Sequence, residues 1–166
     1  YRIEVGKYRS GEMQVVSGAM GKEKVHYQAP SPERVPAEMD RFIEWVNSSN
    51  DIDAVLKAAI AHLWFVSIHP FDDGNGRITR ALTDMLLARS ENSSKRFYSV
   101  SAEIKNLQKE YYEVLERTQR GNGDITDWLL WFLHCFEQAL SASESTLSSV
   151  MYKVEFWERN RDVSFN

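Results

Sequence analysis

The sequence predicts an all-α fold, a helical bundle of about six helices with one small β-hairpin at its N-terminal side. Between about residues 36 and 160, apolar residues recur at intervals of three and four, the spacing of one helix face. Before residue 30, short runs alternate as strands do, and glycines separate two of them. We therefore expect a strand and a hairpin over residues 1–30 and a helical core over residues 36–160.

The N-terminal region contains three runs with strand character. Tyr1, Ile3 and Val5 alternate with polar residues. Residues 13–16 and 25–28 flank a segment with two glycines, which predicts a β-hairpin with a flexible tip. The prolines within residues 29–32 interrupt regular structure, and Pro36 suits the first turn of a helix.

Apolar stripes and capping residues mark the helices. The first carries Met39, Phe42, Ile43 and Val46 on one face. The others are expected from Asp51 or Asp53 to about residue 67, over about 75–89, over 101–120, from Asp124 or Thr126 to about 140, and over about 142–159. Glycines at 121 and 123 stop the fourth helix.

Composition limits the classes of function. The 166 residues suffice for one domain, 1–166, and the net charge of -4 argues against a domain that coats nucleic acid. No apolar run has the length of a membrane span. The single cysteine, Cys135, suits a reducing compartment, so we expect a cytoplasmic protein. The chain begins without Met inside a strand-like run, so we expect a fragment of a longer chain.

Residues 69–80, HPFDDGNGRITR, combine side chains that a helical turn does not need for folding. Pro70 ends one helix, and Gly74 and Gly76 let the backbone approach a ligand closely at the start of the next. The N-terminus of a helix presents unpaired N–H groups and a partial positive charge, which together favour an anion. The turn is therefore a candidate anion site.

The charged side chains of this turn fit phosphate chemistry. Arg77 and Arg80 lie three apart on one helical turn, and guanidinium groups suit phosphate oxygens. Asp72 or Asp73 can hold a Mg²⁺ ion that bridges phosphates. His69 can accept a proton near neutral pH. These are the parts that nucleotidyl or phosphoryl transfer requires.

At these residues the sequence resembles the Fic family, whose pattern is His-x-Phe-x-(Asp/Glu)-Gly-Asn-Gly-Arg-x-x-Arg. Residues 69–80 match every specified position, and the hairpin, residues 29–36 and residues 111–124 are similar to the family's layout. The resemblance implies a Fic-type helical bundle in which the hairpin is a flap. It also implies an adenylyltransferase that moves AMP from ATP, its co-substrate, to a Ser, Thr or Tyr hydroxyl of a target protein and releases pyrophosphate.

The resemblance assigns a role to each residue of the motif. It implies that His69 is the general base and that Asp73 holds Mg²⁺ against the α- and β-phosphates. The N–H groups of Gly74, Asn75 and Gly76 would form the anion hole with help from the Asn75 side chain. The remaining residues are implied in three groups: Arg77 and Arg80 on the β- and γ-phosphates, Tyr111, Tyr112 and Gln119 on the adenine side, and Val25, His26 and Tyr27 on the target-binding flap.

Other side chains have simpler interpretations. His62 could join His69 and Asp73 in a metal site, but a core histidine whose ring N–H is bonded to a carbonyl is the favoured interpretation. Of Tyr111 and Tyr112, one is expected in the core and only one beside a nucleobase. Packing is also expected for the aromatic cluster of Trp128, Trp131 and Phe132.

Alternatives to AMP transfer stay open at this point. A kinase-like relative would phosphorylate its target, but such members depart at the positions of Gly74 and Gly76, which this chain keeps. Transfer of UMP or another nucleotide is a second alternative, because the motif does not choose the base. A non-catalytic module that binds nucleotide or protein is a third.

Many members of the family carry an inhibitory glutamate in a (Ser/Thr)-x-x-x-Glu-(Gly/Asn) helix, which pairs with the second arginine of the motif. Ser99 and Glu103 have this spacing, but Ile104 follows them. We therefore expect Arg80 to lack a glutamate partner within this chain. The inhibitory helix could lie upstream of residue 1, come from a partner antitoxin, or not exist.

Overall fold

The structure, a computed structural model, describes residues 5–17, 24–49, 51–91 and 96–161. Within these ranges the chain forms one antiparallel hairpin followed by α-helices, which confirms the predicted fold class. The elements are β1 (Gln14–Ser17), β2 (Lys24–Gln28), α1 (Val35–Asn47), α2 (Ala54–Ile68), α3 (Asn75–Glu91), α4 (Val100–Asn106), α5 (Gln108–Gln119) and α6 (Thr126–Arg159). A 3₁₀ turn at Pro32–Arg34 leads into α1.

The hairpin forms where the alternating sequence predicts it. Val15 pairs with Tyr27 and Val16 pairs with Val25, so His26 is the extra residue of a β-bulge. The predicted tip, residues 18–23, lies outside the described residues. Of the predicted first strand, residues 1–4 also lie outside them, while Val5 lies in an exposed bend.

Helix α2 is the centre of the bundle. It packs against α1, α3 and α6, so it is apolar on almost every side rather than along one stripe. Its buried residues are Ala58, Ala59, Ala61, His62, Leu63, Phe65, Val66 and Ile68. The indole of Trp128 on α6 donates a 2.8 Å hydrogen bond to the carbonyl oxygen of Ala59, which ties the two helices together.

Helix α1 covers one side of α2. Val35, Met39, Phe42 and Val46 are buried, and Phe42 makes an edge-to-face contact with Trp64 at 5.6 Å. Ile43, expected on the same stripe, is 46% exposed. The buried face of α1 is therefore narrower than predicted.

The predicted helix over residues 101–120 is two helices, because Leu107 leaves the helical conformation with φ -95° and ψ 26°. Leu107 packs against the core at this break. The break lets α4 and α5 each turn a face toward α6, with Ile104 buried on one and Val114 on the other. Tertiary packing thus interrupts a continuous helical pattern.

The two helices predicted after residue 124 are one helix, α6, of 34 residues. The segment between them is rich in serine but contains no glycine or proline. Hydroxyl groups there bond back along the helix, as Thr146 does to the Ala142 carbonyl oxygen at 2.9 Å. The predicted boundary near residues 140–142 was therefore wrong, because the helix continues through the serine-rich segment.

The two halves of α6 differ in burial. Trp128, Phe132, Cys135 and Ala139 are buried in its first half, which confirms the expected packing of Trp128 and Phe132. Burial also raises the pKa of the Cys135 thiol to about 12. The second half carries exposed apolar side chains such as Tyr152 and Trp157. None of the described helices combines the length and the apolar character of a membrane span.

We predict that Asp53→Ala lowers the free energy of unfolding by about 1 kcal/mol. Asp53 is the N-cap of α2, and its Oδ1 accepts hydrogen bonds from the N–H groups of Val55 at 2.9 Å and Leu56 at 3.2 Å. Urea denaturation measures the difference. Asp51→Ala is the matched control and should change the unfolding free energy by less than about 0.5 kcal/mol. Equal losses in the two variants would contradict this assignment of the cap.

Candidate active site

The C-terminal end of α2 carries the histidine of the motif. A helix leaves its last carbonyl oxygens without helical N–H partners, so other donors must satisfy them. His69 supplies two donors: its N–H bonds the Phe65 oxygen and its Nδ1 bonds the Val66 oxygen, both at 3.1 Å. The Tyr27 hydroxyl donates to the Ser67 oxygen at 2.9 Å. The end of α2 is therefore capped by its own histidine and by the hairpin.

The next three carbonyl oxygens bind one arginine that the sequence did not single out. Arg9 is only 3% exposed. Its Nη2 lies 3.4 Å from the Ile68 oxygen, its Nε lies 2.8 Å from the His69 oxygen, and its backbone N–H lies 2.9 Å from the Pro70 oxygen. Side-chain bonds to the carbonyl oxygens of Gly11 and Pro30 complete its contacts.

His69 has a left-handed backbone conformation, with φ 49° and ψ 58°, and among the described residues no other non-glycine residue has a positive φ. Since its Nδ1 faces the Val66 carbonyl oxygen, the ring proton lies on Nδ1 and Nε2 is left as an acceptor. Burial, and secondarily the charge of Arg9, lower the pKa of His69, while the bond to Val66 opposes them. The histidine is thus held neutral with one nitrogen ready to accept a proton.

Asn75 closes the loop that follows His69. Its Oδ1 accepts from the Phe71 N–H at 3.0 Å, and its Nδ2 donates to the Phe71 carbonyl oxygen at 2.7 Å. Asn75 is buried. Its amide therefore closes the loop with one of its two Nδ2 hydrogens, and its expected help in anion binding would fall to the second hydrogen, beside the backbone N–H of Asn75.

The N-terminus of α3 matches the expected anion site in geometry. The first helical bond runs from the Ile78 N–H to the Gly74 oxygen at 3.0 Å, so the N–H groups of residues 75–77 have no partner within the helix. Gly74 has φ 84°, which other residues rarely adopt. A Cβ atom on Gly76 would lie 3.5 Å from Nη1 of Arg80, so the guanidinium lies across the space that the glycine leaves.

The two arginines of the motif have different surroundings. Arg77 pairs with Asp73 through Nη2 and Oδ2 at 3.2 Å, and both side chains are exposed. Arg80 lines the cavity described next. In the part of the chain that the structure describes, no carboxylate lies within ion-pairing distance of Arg80.

A cavity of about 710 Å³ lies between the loop, the hairpin and α5. A cavity of this size is in the range of small-molecule and cofactor sites. It brings together His69, Gly76 and Arg80 from the motif, Tyr111, Tyr112 and Gln119 from α5, and His26 and Tyr27 from the hairpin. Sequence-predicted residues from three separate segments therefore meet in one space.

The adenine-side candidates on α5 divide as expected for the two tyrosines. Tyr111 is buried and Tyr112 is 53% exposed. Their rings contact each other at 5.3 Å. Gln119, the last residue of α5, also lines the cavity and donates to the Ser67 hydroxyl at 2.9 Å. Tyr112 is therefore the aromatic face with most room for a planar ligand.

A chain of buried hydrogen bonds connects Tyr111 to the start of α3 through His62. His62 Nδ1 lies 2.9 Å from the Thr83 hydroxyl, and His62 Nε2 lies 3.0 Å from the Tyr111 hydroxyl. Thr83 donates to the Thr79 oxygen at 2.9 Å, and Thr79 donates to the Asn75 oxygen at 2.7 Å. Since the Thr83 proton is used, His62 donates from Nδ1 and accepts from Tyr111 at Nε2.

The His62 contacts resolve its two interpretations. It is a core histidine, as favoured, but its ring is bonded to two hydroxyls rather than to a carbonyl. Burial, with a smaller effect of the Arg80 charge, lowers the pKa of His62 to about 3. Among the described residues there is no group of three His, Cys, Asp or Glu side chains that could hold a metal ion.

The flap candidates are bound to the helical core. The Tyr27 hydroxyl caps α2, and His26 Nδ1 lies 2.5 Å from Oε2 of Glu116 on α5. Arg120 donates to the carbonyl oxygens of Val25 and, at 2.8 Å, His26. Arg120 also pairs with Glu116 at 3.0 Å. The open edge of β2 therefore faces the end of α5.

Sequence reasoning missed Arg9, Glu116 and Arg120. Arg9 precedes the hairpin and belongs to no periodic pattern, so nothing local marks it as buried. Glu116 and Arg120 are four apart on a helix, a spacing that predicts a pair but not its contact with the hairpin. Only the packing of α5 against β2 brings that contact about.

Comparison with known proteins identifies the family. The sequence model of the Fic/DOC family matches residues 1–87, which include the motif. The chain belongs to the Fic/DOC family. It is 30% identical over 164 residues to a protein adenylyltransferase Fic from Nematostella vectensis, covering 98% of this chain and 34% of the relative. It is 36% identical over 113 residues to one from Drosophila grimshawi, covering 67% and 22%. The Fic chain thus spans about a third or less of these relatives.

Solved structures agree with this Fic fold. A Fic family protein from Desulfovibrio desulfuricans G20 has a TM-score of 0.73 and 29% identity, covering 86% of this chain and 42% of that one. A Fic domain containing signaling protein from Bacteroides thetaiotaomicron VPI-5482 has a TM-score of 0.64 and 27% identity, covering 86% and 55%. The architecture described above is therefore shared with other Fic proteins.

We predict that His62 makes stability depend on pH. In the folded chain its pKa is about 3, below the ordinary 6.5, so the unfolded chain binds a proton that the folded chain does not. His62 therefore makes its full contribution to the free energy of unfolding above pH 6.5. That contribution is lost as the pH falls from 6.5 toward 3, at about 1.4 kcal/mol per pH unit. His69, whose pKa is also lowered, acts in the same direction.

Urea denaturation between pH 7 and 4 measures this slope. His62→Gln should be less stable at pH 7 but should lose most of the pH dependence. His134→Gln, at an exposed histidine, should keep the slope of the unmodified chain. Parallel curves for His62→Gln and the unmodified chain would show that His62 is not held neutral.

Proposed function

We propose that this Fic chain transfers AMP from ATP to a hydroxyl group of a target protein and releases pyrophosphate. The observation that carries the proposal is the single cavity that joins the neutral His69, the N-terminus of α3 with Arg80, and the aromatic wall of α5. The relatives named protein adenylyltransferase support the same activity. The cavity lining therefore includes a histidine that can accept a proton, a glycine and an arginine of the first turns of α3, and two tyrosines of α5.

His69 is the proposed general base. Its Nε2 accepts the proton of the target hydroxyl, since Nδ1 is occupied by the Val66 carbonyl oxygen. The hydroxyl oxygen then forms a bond to the α-phosphorus, and the bond from that phosphorus to the bridging oxygen breaks. The electron pair of that bond leaves with pyrophosphate, so the charge and the proton are both accounted for.

The N-terminus of α3 is the proposed phosphate site. The N–H groups of Gly74, Asn75 and Gly76 can donate to phosphate oxygens together with the positive end of the helix. Arg80, in the cavity wall, is suited to the departing phosphates. Arg77 would exchange the carboxylate of Asp73 for a phosphate. Because that ion pair is exposed, its loss costs little.

Asp73 is the proposed ligand of Mg²⁺. Its carboxylate is exposed at the mouth of the loop, one residue before the glycine that begins the anion site. Mg²⁺ in nucleotide sites is usually held by one or two carboxylates with phosphate oxygens and water as the other ligands, so a single aspartate fits. When bound, the ion would neutralise phosphate charge.

The adenine base is proposed to lie against α5. Tyr112 offers an exposed ring for stacking. Tyr111 is buried, and its hydroxyl is hydrogen-bonded to His62, so it supports the cavity wall from the core side. Gln119 lines the same space and offers an amide to the edge of the base. A ring face and an amide suit a nucleobase, and AMP transfer makes adenine the proposed one.

The target is proposed to approach along β2, by addition of a strand to the hairpin. Val25, His26 and Tyr27 remain the candidate flap residues, with Val25 the exposed apolar member. Tyr27 would act mainly through its cap on α2. A carboxylate from an inhibitory helix or a partner antitoxin would form an ion pair with Arg80, which lines the cavity. The cytoplasmic location, expected from ATP use and the single cysteine, stays a prediction.

We expect label from ATP to reach protein only from the α-phosphate. The chain is incubated with Mg²⁺ and ATP labelled at the α- or the γ-phosphate, alone and with cell lysate, and protein-bound label is measured. His69→Ala should lower the incorporation at least about 100-fold, the contribution typical of a general base. His134→Ala, an exposed histidine elsewhere, is the control. Label carried from the γ-phosphate would make the chain a kinase.

We predict that Gly76→Ala keeps the fold but weakens binding of ADP at least about 10-fold. The glycine is helical, and alanine favours a helix, so stability should not fall. The new methyl group would lie 3.5 Å from Arg80 Nη1, in the space proposed for phosphate. Calorimetric titration with ADP measures the effect. Ile78→Ala, in the same turn but outside the cavity, is the control, and equal affinity in all three proteins would contradict the phosphate site.

A further inference from the structure

A buried cation without a carboxylate partner lies behind the proposed base. Among the described residues, the side-chain partners of Arg9 are all carbonyl oxygens of the main chain: those of Gly11, Pro30, Ile68 and His69. Four acceptors nearly saturate the five N–H donors of a guanidinium. Burial lowers the pKa of Arg9, and the surrounding acidic groups oppose this shift. An arginine is charged under these conditions, so its interactions must compensate a costly burial.

The charge of Arg9 is located where α2 can stabilise it. The C-terminal end of a helix carries a partial negative charge, and the Ile68 and His69 oxygens belong to that end. The backbone N–H of Arg9 adds a bond to the Pro70 oxygen at 2.9 Å. Arg9 therefore binds three consecutive carbonyl groups, those of the proposed base His69 and of the residues before and after it.

These contacts hold the backbone of His69 in the left-handed conformation, which places its imidazole at the cavity. A left-handed conformation is uncommon for a residue other than glycine and is energetically unfavourable. In that conformation the chain turns sharply after α2, so that the His69 oxygen faces Nε of Arg9 while the imidazole lines the cavity. If Arg9 no longer bound the His69 carbonyl oxygen, the His69 backbone could leave the left-handed conformation, and its ring would move away from the Val66 oxygen.

We propose that Arg9 is a positioning residue for the transfer reaction: through the main-chain oxygens of Ile68, His69 and Pro70 it holds His69 in the conformation that directs Nε2 at the substrate. This inference rests on the proposed function for its effect on rate. It goes further because Arg9 lies outside the motif and does not line the cavity. The nucleotide contacts lie on α3 and α5, so Arg9 acts on the base and not on nucleotide binding.

The test uses Arg9→Lys, which keeps the charge but loses the fork, and Arg9→Gln, which keeps a donor but loses the charge. The control is Arg96→Lys, because Arg96 is also partly buried and its Nη1 also donates to a main-chain oxygen, that of Asp84, at 2.7 Å. Circular dichroism and thermal melting select the variants that fold. Three properties are then compared: incorporation of α-phosphate label at saturating ATP, affinity for ADP by calorimetry, and the imidazole tautomers by two-bond ¹H–¹⁵N NMR.

We expect the maximal rate of Arg9→Lys to fall about 100-fold, the effect of a small misplacement of a reacting group, while the affinity for ADP changes less than threefold. The NMR signals assigned by His69→Ala should show a fixed Nδ1–H tautomer in the unmodified chain and averaged tautomers in both Arg9 variants. Arg96→Lys should match the unmodified chain in rate and tautomer, even if it melts earlier.

Two results would overturn the proposal. One is a fixed His69 tautomer in the folded Arg9 variants. The other is a loss of ADP affinity as large as the loss of rate, because Arg9 would then support the site as a whole. If the unmodified chain transfers no label, the proposed function fails, and the NMR comparison still decides whether Arg9 holds the imidazole.

Discussion

The carbonyl oxygens at the C-terminal end of α2 need hydrogen-bond donors, because this end is enclosed by the hairpin and the loop. Arg9, Tyr27 and His69 itself supply them. The solution has a consequence for chemistry: the histidine uses Nδ1 as a cap and keeps Nε2 as an acceptor. A structural requirement of a buried helix end thus leaves one imidazole nitrogen able to accept a proton, and the position of the hairpin follows from the same bonds.

The opposite wall of the cavity depends on a second buried polar element. His62 lies between Tyr111 and Thr83, and its neutral imidazole matches one donor to one acceptor. Thr79 and Asn75 extend the chain to the loop. Because each member of the cluster hydrogen-bonds its neighbour, the cluster can remain inside an apolar core, and it connects the tyrosines of the cavity wall to the N-terminus of α3. The motif is therefore supported from both sides by side chains outside it.

The hairpin is joined to the helices by charges at its open edge. Arg120 and Glu116 bind the backbone and the bulged His26 of β2, so the strand and α5 form one boundary of the cavity. A strand that adds to this edge would meet the Arg120 guanidinium on the carbonyl oxygens of Val25 and His26. The open edge of β2 and the geometry of the cavity are therefore physically connected.

The sequence by itself determined the fold class, the hairpin, the start and end of α2 and α3, and the family, because periodicity, capping residues and a dense motif are local signals. It also predicted from their different helical faces that one of Tyr111 and Tyr112 would be buried, while the structure shows that this one is Tyr111. Only the tertiary structure decided the break at Leu107 and the continuity of α6, where packing overrode local preference. The same holds for the bonds of the Asn75 amide to Phe71 and for the burial of Arg9. The contacts of Arg9 with Ile68, His69 and Pro70 join residues about 60 positions apart, and no local pattern encodes such a distance.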